Sequence, residues 1–411
     1  MSDWQVVSLG QITSKIGSGA TPRGGGESYK ESGISLIRSQ NILDFKFSTN
    51  GLAFIDNAQA YELRSVCVEP GDVLLNITGD SVARCCVVPD NILPARVNQH
   101  VAIVRANKDK AESHFIYYML QSIKEELLMQ SEIGATRNAL TKGMIEGIKL
   151  SLPSLPEQKS IASVLSSLDD KIDLLHRQNT TLESMAETLF RQWFVEEAQS
   201  FSLGKIGDLI EGTFGGDWGK EVQEDEFKNA VNCIRGTDIA DLQSGLAKKI
   251  PLRFVTSKKL QSIEPKNGDI IFEISGGTET QSTGRATYIN DDVRSLFAHP
   301  LVFSNFCRLL RPLNSSYSYF IYLYLSYLYK QDEFFGLENG SSGIKNLNYK
   351  ALFFELDYPM PTLDKVQDFN AFVTPSFSKI NQNKKQIQTL EKLRDNLLPK
   401  LMSGEVRVTS N

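Results

Sequence analysis

The sequence predicts an α+β fold built twice. Two similar mixed strand-and-helix domains are separated by two long helices that form an antiparallel coiled coil, giving a pseudo-twofold internal repeat. Three observations lead there: short motifs that recur in the same order, a heptad stripe after each copy, and a composition suited to packed domains. The chain has 411 residues, with 41% hydrophobic and 23% charged, which is the balance of an ordinary globular protein.

The repeat is read first because it sets the architecture. SLGQI at Ser8–Ile12 recurs as SLGKI at Ser202–Ile206, and IRSQNI at Ile37–Ile42 as IRGTDI at Ile234–Ile239. GDVLLNITGD at Gly71–Asp80 recurs as GDIIFEISGG at Gly268–Gly277. SHFIYYML at Ser113–Leu120 recurs as SYFIYLYL at Ser318–Leu325, and RQNTTLE at Arg177–Glu183 as KQIQTLE at Lys385–Glu391. The offset grows from 194 (Ser8 to Ser202) to 208 (Arg177 to Lys385), as loop insertions in the second copy would make it. The implied segments are 1–153, a long helix over 154–199, 200–360, and a second long helix and tail over 361–411.

GDVLLNI and GDIIFEI read as buried strands after a Gly-Asp turn. The FIYYML and FIYLYL runs read as helices packed on a sheet. The tyrosine-rich run Tyr317–Tyr329 has 13 residues, too few for the roughly 20 of a membrane helix. Its twin lacks most of the tyrosines, so core packing explains it better than a base-stacking platform.

Each long helix carries a seam. After Ser154-Leu155-Pro156-Glu157, a helix start with proline at its first position, the first seam is Ile161, Leu165, Leu168, Ile172, Leu175, Asn179, Leu182, Ala186, Leu189 and Trp193. Its 4-3-4-3 spacing is that of a coiled coil. The second seam, less regular, is Phe369, Val373, Ser376, Ile380, Asn383, Ile387, Leu390, Arg394, Leu397 and Leu401. Pro375 is expected to kink or restart that helix. Antiparallel pairing about the pseudo-twofold axis sets Trp193 against Phe369, Ile161 against Leu401, and Asn179 against Asn383. Leu168 then falls opposite Arg394, a poor match.

Catalytic patterns are absent. The four histidines (His100, His114, His176, His299) form no HExxH or HxH, and there is no GxSxG. The glycine-rich stretches Gly17–Gly26 and Gly212–Glu221 lack the GK[ST] of a phosphate-binding loop. No acidic or amide residue precedes Pro-Pro-aromatic, as an adenine methyltransferase would require. Asp90 with Glu157-Gln158-Lys159 is only a weak nuclease echo, better explained as a helix start. Five scattered cysteines without a CxxC pair argue against a disulfide framework or structural zinc and fit a reducing cytoplasm. MSDWQVV at the start has no signal-peptide pattern.

In their order, KIGSGATP, IRSQNI, GDVLLNITGD, ARVNQHVAIV, GATRNALT and LPSLPEQKSIASVLSSLDDKI give the chain a resemblance to the specificity subunits of Type I restriction–modification systems, and the resemblance covers essentially its whole length. It implies two target-recognition domains separated by two long helices, each domain reading one half of an asymmetric, interrupted DNA target. It implies no catalysis in this chain. The partners implied are double-stranded DNA, two methyltransferase subunits and restriction subunits, which would carry the S-adenosylmethionine, ATP and Mg2+ chemistry. The second copy departs in places: where the first has Asn98-Gln99-His100, the second is expected to have Ala298-His299-Pro300.

Physical scale fits this reading. About 34 helical residues span about 50 Å, against about 34 Å for one DNA turn. The net charge of −5 is unlike a protein that coats DNA alone. The last 51 residues, with 8 basic and 5 acidic, are the most positive part. Phosphate neutralisation is therefore expected to come partly from partner subunits.

Base readout needs donor and acceptor pairs, so polar loops are the candidates. In the first domain these are Ser18, Thr21 and Arg23; Arg38, Gln40 and Asn41; Thr78, Ser81 and Arg84; Asn98 and Gln99; and Thr136, Arg137 and Asn138. In the second they are Thr213, Trp218 and Lys220; Arg235 and Thr237; Ser275 and Thr278; and Ser341, Lys345 and Asn346. Such residues also serve turns by capping backbone groups. Arg38 and Arg235, beside apolar strands in both copies, fit a shared structural or phosphate-contact role. Two alternatives remain open at this point: a stand-alone DNA-modifying enzyme, and a coiled-coil scaffold without nucleic acid.

Overall fold

A computed structural model of the chain describes residues 4–132, 138–243, 250–278, 280–340 and 344–408. The chain condenses into two units, one of residues 1–171 with 390–411 and one of residues 172–389. The long helices Leu155–Arg191 and Leu363–Ser403 therefore each give one part to each unit.

In the first unit a four-stranded antiparallel sheet runs Thr13–Ser18, Val101–Ala106, Val73–Asn76, Cys85–Val87. In the second unit the same order recurs as Ile210–Gly215, Cys307–Pro312, Ile270–Glu273, Ala286–Tyr288. The strands after each Gly-Asp turn are fully buried, as their unbroken apolar runs predict. The turn aspartate has a task. Asp72 accepts from Arg105 Nε at 2.7 Å, and Asp269 accepts from Arg311 Nη2 at 2.7 Å. Each pair ties the turn to the neighbouring strand, and both carboxylates are buried.

A second sheet also recurs. Ile34–Ile37 and Ala95–Val97 lie parallel in the first unit, as Asn229–Ile234 and Leu301–Phe303 do in the second. Helices Ser113–Ser122 and Tyr317–Lys330 lie in the cores of their units. The tyrosine-rich run packs as predicted. Tyr319 stacks on Phe377 at 4.6 Å, and Phe320 on Tyr324 at 5.5 Å.

The helix pairing follows the predicted register within each unit. In the second, Trp193 and Phe369 lie 5.9 Å apart, and Ala186, Val373 and Ile380 share one core with Leu182 and Leu189 against it. Leu175, Ile387 and Ile172 are buried, and Asn383 Nδ2 donates to Asn179 Oδ1 at 2.9 Å. In the first unit, Ile161, Leu165, Leu398 and Leu401 share a core, with Leu397 against it; Leu390 is half-buried.

Three details differ from expectation. The second helix does not restart at Pro375. The ring is exposed, as is Ala371, so the carbonyl that loses its helical partner faces water. Near Trp193 the fully buried side chains are Phe190 and Phe194, with Leu189 and Trp193 packed partly buried against the same core, and the turn Gln192–Glu196 is π-helical. Arg394, the poor match for Leu168, is satisfied by the residue next to Leu168. Its guanidinium donates to Asp169 at 2.8 Å and lies 3.6 Å from the Phe45 ring centroid, which accommodates a charge in an apolar seam.

Candidate nucleic-acid interface

Backbone hydrogen bonds define which loop of one unit corresponds to which loop of the other. Asn98 N donates to Ile37 O at 3.0 Å, as Ser304 N does to Ile234 O at 2.9 Å. Ile77 N donates to His100 O at 3.0 Å, and Ile274 N to Phe306 O at 2.9 Å. Leu140 N to Ile77 O repeats as Leu347 N to Ile274 O, both at 2.9 Å. Ala20 N to Val97 O at 3.2 Å repeats as Asp217 N to Phe303 O at 2.8 Å. Asn76 N to Arg84 O at 2.8 Å repeats as Glu273 N to Arg285 O at 2.9 Å.

The counterpart of Asn98-Gln99-His100 is therefore Ser304-Asn305-Phe306, not Ala298-His299-Pro300. By the same links Thr21 answers to Trp218, Arg38 to Arg235, Thr78 to Ser275, Arg84 to Arg285, and Asn138 to Lys345. Candidates drawn from separate motifs thus come from the same loops at the ends of the same strands. The close approach is made possible by Gly19 and Gly216. A Cβ on either would sit 1.8 Å from Val97 O or 2.3 Å from Phe303 O.

In the first unit the loops form a hydrogen-bonded polar row. Thr21 Oγ1 donates to Gln99 Oε1. Gln99 Nε2 lies 3.2 Å from His100 Nε2, and His100 Nδ1 lies 2.6 Å from Thr78 Oγ1. With the Gln99 amide donating, the ring proton sits on Nδ1 and is donated to Thr78. Arg38 donates to Gly51 O and lies 5.3 Å from the Tyr29 ring centroid; Gln40 donates to the same carbonyl at 3.1 Å. Ser18, Arg23 and Asn138 are exposed, and Ser81 and Arg84 half-buried.

Two candidates are structural. Asn41 is buried, accepting from Arg38 N at 3.0 Å and donating to Ser48 O and Asn50 O at 2.9 and 3.2 Å. Asn98 is buried and accepts from His100 N at 3.1 Å. Both shape loops from within. Thr136, Arg137 and Ser341 lie outside the described residues.

In the second unit the loops line an open cavity of about 720 Å³ whose lining includes Trp218, Arg235, Thr237, Ser275 and Thr278. Five predicted residues from three motifs thus meet in one concavity. Sequence reasoning missed Glu273, Gln281, Arg285, Asn305, Phe306 and Ile344, which line it too. Arg235 holds Asp238 in a two-pronged bond at 2.9 and 2.7 Å, and Arg285 holds buried Glu273 at 2.9 and 2.7 Å. The bond to its carboxylate raises each guanidinium's proton affinity above its ordinary value. Ser275 Oγ donates to Asn346 Oδ1 at 2.8 Å. Lys345 Nζ is 3.1 Å from Glu338 and Lys220 Nζ 3.9 Å from Glu224; neither lines the cavity, nor does half-buried Thr213.

Such a surface offers amides, hydroxyls and guanidiniums whose donor and acceptor pairs match base edges. Among the described residues, no three His, Cys, Asp or Glu side chains gather as a metal ion would need, and no helix is long and apolar enough to cross a membrane.

Two units of one topology, each holding a part of both long helices and a loop surface at the same strand ends, define a duplicated recognition protein. The model of the Type I restriction modification DNA specificity domain matches residues 1–184 and 199–392, and the chain belongs to that family. It is 26% identical to the Type I restriction enzyme MjaIX specificity subunit of Methanocaldococcus jannaschii, over 99% of this chain and 94% of that protein. It is 22% identical to the EcoBI specificity subunit of Escherichia coli, over 98% and 86%. The crystal structure of the Type I restriction–modification S subunit from M. genitalium shares its fold, with a TM-score of 0.59 at 16% identity, covering 97% of this chain and 96% of that one.

Proposed function

We propose that this chain is the non-catalytic DNA-recognition subunit of a Type I restriction–modification complex in the cytoplasm. Each unit reads one half of a bipartite, asymmetric DNA target. Two methyltransferase subunits dock on the chain, and restriction subunits join for cleavage. The S-adenosylmethionine, ATP and Mg2+ chemistry resides in those partners. The observation that carries this reading is the loop surface duplicated in position and different in side chains. One backbone frame presents Thr21, Gln99 and His100 in one unit and Trp218, Asn305 and Phe306 in the other. A duplicated enzyme would keep its reacting groups; a duplicated reader of two unlike half-sites would vary them.

The test is co-expression with the cognate methyltransferase followed by methylome sequencing. Exchange of residues 201–360 for a homologous domain is expected to change one half of the methylated motif and leave the other intact. A change in both halves, or methylation without sequence preference, contradicts the reading. With a net charge of −5, the chain alone is expected to bind DNA weakly and the methyltransferase complex tightly at matched salt.

A further inference from the structure

The two loop surfaces share a frame but not a chemistry. Where the first unit has Thr21, His100 and Asn76, the second has Trp218, Phe306 and Glu273. Phe306 is 46% exposed and Ile344 61% exposed, and both line the same cavity. Two large apolar side chains beside one concavity give whatever enters it an apolar contact.

Charge narrows the partner. The two arginines of the cavity are each held by a carboxylate, Arg235 by Asp238 and Arg285 by Glu273. Their charge is balanced within the chain, so the cavity has little pull on a phosphate. A neutral group with an apolar part is the better fit. In the major groove of DNA the one apolar group on a base edge is the 5-methyl group of thymine.

We infer that Phe306, with Ile344 beside it, reads a pyrimidine 5-methyl group, that of a thymine, in the half-site contacted by the second unit. Asn305 precedes Phe306 in the same loop and lines the same cavity; an asparagine amide there can serve the adenine of that pair through N6 and N7. The first unit has His100 at this position and would offer hydrogen bonds there instead. The inference rests on the proposed function and deepens it.

The probe is the purified methyltransferase complex with a synthetic, unmethylated duplex carrying the motif found by methylome sequencing, so that thymine is the only source of the methyl group. Each thymine of the second half-site, on either strand, is replaced in turn by deoxyuridine, which keeps the pairing and removes only the methyl. At one of them affinity is expected to fall about fourfold, the worth of one buried methyl group. Phe306→Ser is expected to bind the thymine and deoxyuridine duplexes equally, while Phe306→Leu keeps the preference. No sensitive thymine, or a preference that survives in Phe306→Ser, overturns the inference. Failure of the proposed function looks different: binding would then show no dependence on the second half-site at all.

Discussion

Asn383 donates its side-chain amide to Asn179 at 2.9 Å, across a seam in which both residues are buried. A buried amide costs about 1–3 kcal/mol when unpaired, so the pair discriminates against a helix slipped by one heptad. Asn383→Leu alone is expected to destabilise the chain by about that amount. The double variant Asn179→Leu, Asn383→Leu recovers the loss, because two leucines pack where one amide was stranded. Urea unfolding of the four proteins in the cycle measures the coupling, and additive effects would show that the bond does not set the register.

Arg394 is the charged member of the seam. Burial raises the Asp169 carboxyl above its ordinary range, while Arg394 and the Tyr118 hydroxyl pull it down. Arg394→Met leaves a half-buried carboxylate without its cation and is expected to cost up to about 3 kcal/mol at pH 7. The sign with pH follows. Without Arg394 the carboxyl rises further, and protonation relieves the cost, so the destabilisation shrinks as pH falls toward 4. A loss independent of pH would assign the arginine a packing role only.

Lys384 is buried on the second long helix, its Nζ 3.4 Å from Leu242 O. Burial lowers its value from 10.5 to about 8. The unfolded chain therefore holds more protons between about pH 8 and 10.5, and stability from this group rises across that window. At pH 7 the buried charge costs about 3 kcal/mol. Lys384→Met is expected to raise the melting temperature at pH 7, and the gain fades as pH passes from 8 to 10.5. A variant less stable than the parent at pH 7 would contradict this.

Gly19 and Gly216 carry the close approach of the first recognition loop to its sheet. Alanine at either needs a backbone shift, since its Cβ would fall 1.8 Å from Val97 O or 2.2 Å from Ser304 O. Each is expected to cost about 3 kcal/mol or more. Gly17→Ala, where a Cβ meets nothing within 4 Å, is the control and should stay near the parent. Thermal unfolding reads all three.

The helices, their register and the buried strands were legible because burial leaves periodicity: 4-3-4-3 along the seams, continuous apolar runs after Gly71 and Gly268. The Asn179–Asn383 pair was legible because a polar residue in each stripe can meet only one way. Asp169 was not, since it lies one position off the seam row and reaches Arg394 by side-chain length. The loop correspondence failed for another reason. His100 and Phe306 share a place in the hydrogen-bonded frame but no side-chain chemistry, and a search by resemblance stops six residues early, at Ala298. Recognition loops lose their likeness because they are where the two halves differ in task.

The first unit is made of the two ends of the chain, residues 1–171 and 390–411, and the second is the stretch between them. On a ribosome that order has a price in time. The share of that unit's core supplied by Leu398 and Leu401 is missing until those residues have emerged, while the second unit already has its whole sequence. The half whose synthesis starts first is thus completed after the other.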